Sequence, residues 1–121
     1  MAALLIAMSL INFAGFVIHL LFTPLWGWGP DLANLKTTNR RSAITMNGMM
    51  SYTFAFFGVA DLLWGIGVLE VQSILVAGMT GFWLVRTVLQ LVYFDLRQPL
   101  SIVFLAAFIF MTAGHAFVLI A

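Results

Sequence analysis

Four stretches of this chain, residues 3–23, 43–68, 71–94 and 100–120, are apolar runs in which only Asp61 and Arg86 place a charge. A helix needs about 20 mostly apolar residues to cross the hydrocarbon core of a bilayer. Each run is therefore long enough to span, and little else of the 121 residues remains. Composition points the same way: 64% of the residues are hydrophobic, 7% are charged, and the mean hydropathy is +1.12. Soluble domains carry about 25% charge, and a soluble protein this apolar would expose large sticky patches. The expected fold is an all-α integral membrane protein, a four-transmembrane-helix up-down bundle forming a single membrane domain over residues 1–121.

Residues 24–42 form the one long connection, "PLWGWGPDLANLKTTNRRS", between the first two runs. A tight turn around Glu70 and Gln72 joins the second and third. "DLRQP" joins the third and fourth, with Pro99 placed to open a helix at its first turn. The first run lacks a basic n-region and a small-x-small cleavage site, so it is read as a retained helix rather than a signal peptide. Lys36, Arg40, Arg41 and Arg97 all fall in the first and third connections, and the other side carries no Lys or Arg side chain. The positive-inside rule then puts residues 24–42 and 95–99 in the cytoplasm and both termini outside, in what reads as a bacterial cytoplasmic membrane. There are no cysteines, hence no disulfide, thiolate nucleophile or Cys-ligated metal.

Polar residues recur at helical spacing, so that each run has one polar stripe. Ser9, Asn12, Phe16, His19 and Thr23 share a face of the first helix. Asn47, Ser51, Phe54, Gly58, Asp61 and Gly65 share one of the second. The third carries Met79, Trp83, Arg86, Gln90, Tyr93 and Arg97, and the fourth Ser101, Phe104, Phe108, Met111, Thr112 and His115. A rise of about 1.5 Å per residue sorts these by depth. His19, Asn47 and Gln90 form a cytoplasmic-side polar cluster. Asp61, Arg86, His115 and Asn12 form an intramembrane one. Asp61 and Arg86 stand about 10 Å apart along the axis, on antiparallel helices whose side chains lean towards each helix's own N-terminus. They lean towards each other, and an Asp61–Arg86 intramembrane ion pair, direct or water-bridged, is the expected answer to their cost of roughly 2.5–3.5 kcal/mol each. Most of the other polar residues are expected only to hydrogen-bond helix to helix, at around 0.6 kcal/mol each.

His19 and His115 are both available to a haem, but they differ in depth by roughly 15–20 Å, too far for one porphyrin within a protomer. No metal-ligand spacing such as HxxxH or ExxH occurs, and no Ser–His–Asp or paired-carboxylate arrangement is legible. No catalytic residue, metal site or cofactor is expected. In the connection, Trp26 and Trp28 suit the membrane interface, and Arg40 and Arg41 suit anionic lipid headgroups. The connection is read first as a plain topology anchor with an aromatic belt; the alternative makes "DLANLKTTNRR" a short surface helix inserting Leu32 and Leu35, and Ser42 is expected to cap the second span.

The connection "PLWGWGPDLANLKTTNRR" and the run "FWLVRTVLQLVYFD" resemble a family of small, uncharacterised bacterial four-transmembrane-helix proteins. The resemblance covers about half the chain and implies that Trp26, Arg40, Trp83, Arg86, Gln90 and Asp95 belong to a common pattern; it implies no activity. The size also brings small multidrug-resistance transporters to mind, but those carry an essential Glu in the first helix, and this first helix has no acid.

The expected function is a non-enzymatic bundle acting in a homo-oligomer or as an accessory subunit of a membrane complex. Its partners would be membrane lipids and other membrane subunits, and not nucleic acid, because the basic residues are few and lie at the membrane edge. One alternative is a small proton- or ion-coupled transporter or channel using Asp61, Arg86 and His115. Another is a binder of an apolar ligand, pigment or haem, using Tyr52, Trp64, Trp83 and Tyr93. An intramembrane enzyme meeting a lipid headgroup near His19, Asn47 and Gln90 has neither a nucleophile nor a metal set to support it.

Overall fold

The computed structural model describes all 121 residues. The chain forms only helices: α1 (Ala2–Leu20), α2 (Phe22–Trp26), α3 (Trp28–Ala33), α4 (Thr37–Gly65), α5 (Ser73–Tyr93) and α6 (Pro99–Ile120). Breaks fall where the backbone requires them. Gly27 takes φ 65° between α2 and α3, and Gly67 takes φ 74° in the turn after α4. That left-handed region costs other residues a clash that glycine lacks. Pro99 occupies the first turn of α6, as its fixed φ predicts.

The second long helix starts earlier than expected. The run "TTNRRS" contains no helix breaker, so α4 begins at Thr37 behind Lys36, with no side-chain cap, and Ser42 lies inside it. At 29 residues and about 1.5 Å each, α4 exceeds a hydrocarbon core of about 30 Å. Its first turns, with Arg40 and Arg41, therefore extend past the ends of its neighbours. The alternative of one surface helix over "DLANLKTTNRR" is not formed as such. Its first residues close α3, Asn34 and Leu35 turn, and the remainder opens α4.

The long helices are arranged as two antiparallel pairs. In one, Ser9 and His19 of α1 meet Gly58 and Asn47 of α4. In the other, Thr87 and Gln90 of α5 meet Thr112 and Ser101 of α6. Small residues let α1 and α4 approach: a Cβ on Gly65 would stand 3.3 Å from the Ile6 backbone nitrogen, and one on Gly58 would stand 3.1 Å from the Phe13 ring. The pairs meet each other through large side chains. Phe54 and Phe57 of α4 pack on Phe82 and Trp83 of α5, and Trp83 stacks on to Phe108 of α6.

Only 21 of the 121 residues are buried, and large apolar side chains cover the outside; Ile74 is 85% and Ile120 83% exposed. Water would not tolerate so large an apolar surface. Three helices, α1, α5 and α6, are long and apolar enough to cross a membrane, and the protein is an all-helical membrane protein. α4 is the longest helix, and Asn47, Ser51 and Asp61 dilute its hydropathy. Below, the end carrying residues 21–36 and 94–98 is the connection end, and the opposite one the turn end.

Candidate functional site

Asn12, Asp61 and His115 come together between three helices, and none of them is exposed at all. Asn12 Nδ2 donates to Asp61 Oδ2 at 2.9 Å, and His115 Nε2 lies 3.2 Å from Asp61 Oδ1. The other imidazole nitrogen, Nδ1, is 2.8 Å from the Met111 carbonyl oxygen, one turn back on α6. That carbonyl can only accept, so Nδ1 carries a proton. The Nε2–Oδ1 contact then needs one proton between the two atoms. On Nε2 it makes imidazolium and carboxylate; on Oδ1 it makes neutral imidazole and carboxylic acid. Both arrangements are net neutral. Removing that proton would leave a lone pair facing a buried carboxylate, and a second would leave an uncompensated positive charge, each costly where no water enters.

Ser9 lies one turn from Asn12 on α1 and donates to the Gly58 carbonyl at 2.7 Å. Met8, Met79 and Met111 are fully buried in the same core. Asn12 Oδ1 and Trp83 Nε1, an acceptor and a donor, have no partner.

Arg86 does not pair with Asp61. Its guanidinium lies 4.3 Å from the centre of the Phe108 ring and 5.2 Å from that of Phe94. Phe94 follows the last residue of α5, so Arg86 reaches towards the connection end, away from Asp61. A long cationic side chain extends to the nearer interface when it can, and aromatic faces attract it on the way. Helical lean alone pointed it in the other direction. Asp61 instead finds His115, which is nearer and wholly enclosed. Asp61–His115 is the one contact between an acidic and a basic side chain within 4 Å.

The expected group of His19, Asn47 and Gln90 divides between the two helix pairs. His19 Nδ1 is 2.7 Å from Asn47 Oδ1, and Asn47 Nδ2 donates to the His19 carbonyl at 2.9 Å, a reciprocal clasp of α1 on α4. The His19 ring also stacks on Phe22, with centroids 4.4 Å apart. Gln90 turns to α6, where its Nε2 donates to Ser101 Oγ at 2.8 Å while its Oε1 has no partner. Both sets are level in depth, but depth alone does not say on which side of a helix a neighbour stands. Ser101 as the partner of Gln90 and Phe94 as a wall for Arg86 were not legible from spacing, because each sits beside a chain reversal.

Tyr93, on the same expected stripe as Gln90, is 76% exposed, since α5 ends there. Trp26 and Trp28 both meet the Phe22 ring edge-on, with centroids 5.1 Å apart. Arg40 is half-buried and Arg41 exposed. No three His, Cys, Asp or Glu side chains converge. His19 and His115 belong to different contacts, and the latter has both ring nitrogens engaged. Comparison with family models, with curated proteins and with solved structures finds no match.

Proposed function

We propose that the chain is a four-span, up-down membrane bundle without enzymatic activity, working in a homo-oligomer or as an accessory subunit of a membrane complex. α4 would be the fourth span, and the basic connections would lie in the cytoplasm of a bacterial cell with both termini outside. The observation that carries this reading is where the polar groups go. Ser9, Asn12, Asn47, Asp61, Gln90 and His115 are all engaged with a neighbouring helix. What faces outward is apolar, or small. On α5, Ser73, Ala77 and Gly81 recur on an exposed face, and nothing lies within 4 Å of where a Cβ on Gly78 or Gly81 would be. Such spacing admits close approach of another helix. The test is size by light scattering in mild detergent. A defined oligomer that Gly81→Leu dissociates is expected; a strict monomer that also captures no membrane partner would overturn the reading.

A second reading, a small proton-coupled transporter or channel, is favoured by the single proton held between Asp61 and His115. Acid and imidazole in contact inside a membrane are the elements of a proton relay. In this reading Asp61→Asn abolishes a pH-dependent flux in liposomes and leaves the bundle folded. Unchanged flux in that variant would remove it.

A further inference from the structure

At the connection end, α3 stands off from the first turns of α4 and leaves a cleft of about 340 Å³, open on one side. Arg40, Ile44 and Asn47 line it from α4, at the spacing of one helix face. Thr23, Trp28 and Leu32 line it from the connection. The Asn47 amide is already committed to His19. Arg40 is not committed: no carboxylate lies within 4 Å of it, since the one acid–base contact within that distance is Asp61–His115. It is the one charged residue in the lining, so the cleft is positive without internal compensation. Its depth is set by the indoles, which gather on Phe22 at the level where Trp residues meet headgroups. Towards the hydrocarbon the cleft runs out over Ile44, which is 54% exposed.

A half-buried unpaired guanidinium, a threonine in the same lining and an exposed isoleucine at its edge match one kind of molecule. We propose that this cleft binds an anionic phospholipid. The phosphate lies against Arg40 and the Thr23 hydroxyl, and the glycerol and upper acyl chain lie over Leu32 and Ile44. Guanidinium and phosphate form paired, charge-assisted hydrogen bonds that a lysine would not reproduce. Arg41, exposed and outside the lining, serves such a lipid only through general surface charge.

The test uses the full chain in a non-ionic detergent, where no charged surface exists, with lipid retention read by native mass spectrometry. The probes are dioleoylphosphatidylglycerol, dioleoylphosphatidylcholine and inorganic phosphate. The anionic lipid is expected to be retained about tenfold over the zwitterionic one. Arg40→Gln lowers that retention by about tenfold and Arg41→Gln by less than about twofold. Ala33→Leu, which fills the cleft and leaves the charge unchanged, lowers it as Arg40→Gln does, and decides the matter should the arginine variant not fold. Equal retention of the two lipids overturns the proposal, as does equal loss in the two arginine variants. Protection from thermal unfolding by inorganic phosphate as strong as by the lipid would make this a soluble-anion site and overturn it as well.

Discussion

Contacts within the helix pairs and contacts between them are built from different chemistry. Within the α1–α4 pair, glycines bring backbones close and polar groups clasp across the seam: Ser9 on the Gly58 carbonyl, Asn12 on Asp61, His19 with Asn47. The α5–α6 pair shares the polar clasps, Gln90 on Ser101 and Thr87 beside Thr112, without a glycine at the seam. Between the pairs the contact is mainly aromatic, through Phe54, Phe57, Phe82, Trp83 and Phe108, with Met8 of α1 also packed against Gly114 of α6. One polar link crosses it, from Asp61 to His115. In lipid no hydrophobic force drives helices together, so association relies on packing and hydrogen bonds. Hydrogen bonds between close backbones hold two rigid hairpins, and interlocking rings dock them.

The strongest way to break this division is to remove the crossing link. His115→Leu leaves the Asp61 carboxyl with Asn12 alone in a site closed to water. The expected loss is about 3 kcal/mol, read as a lower midpoint when the folded protein in mild detergent is titrated with a denaturing one and followed by circular dichroism. Adding Asp61→Leu to that variant should recover more than half of the loss. If it recovers nothing, the pair does not act as a unit.

Next in size is the aromatic contact. Trp83 is 2% exposed and stacked between Phe54 and Phe108, and Trp83→Ala should cost about 2 kcal/mol in the same titration. That is less than in a soluble core, because lipid is as apolar as the protein interior and only the packing part is lost. A crosslink placed between α4 and α5 should weaken the effect, whereas one between α1 and α4 should not.

Gly65→Val tests the close approach within a pair. Its new Cβ meets Ile6 Cγ1 at 3.0 Å and the Ile6 backbone nitrogen at 3.3 Å, so α1 must shift, at an expected cost of about 1–2 kcal/mol. Spin labels on α1 and α4 should report a longer distance, with α5–α6 distances unchanged. The smallest effect is expected of Ser101→Ala. Gln90 Nε2 then keeps the Ser101 carbonyl at 3.3 Å, and the loss should be near the 0.6 kcal/mol typical of such bonds in bilayers. A loss as large as that of His115→Leu would erase the distinction between the two kinds of contact.

Much of this arrangement was legible in the residue pattern. Asn12, Asp61 and His115 fall on the polar stripes of three helices, although the rise per residue put Asn12 level with Arg86 and only Asp61 level with His115. Direction around the axis is harder to read. Gln90 was level with His19 and Asn47 yet faces Ser101, because α5 lies closer to α6 than to α1. Arg86 illustrates the same limit at longer reach. Backbone lean directs only the first bonds of a side chain, and a long, three-carbon stem chooses its end from the neighbours it finds, here Phe94 and Phe108.

By itself, then, the sequence determined the solvent and the element type. Runs this long and this apolar satisfy their backbone groups in lipid only as helices, and the basic residues gather at one end of them. It also put Asn12, Asp61, Gln90 and His115 on inward faces, since period and polarity are local properties, while Tyr93 of the same α5 stripe turns outward. Tertiary structure alone decided the partners. Whether Asp61 meets Arg86 or His115 depends on which helices pair closely and which stand a ring's width apart, and that is set by glycine and aromatic positions acting together across the whole bundle.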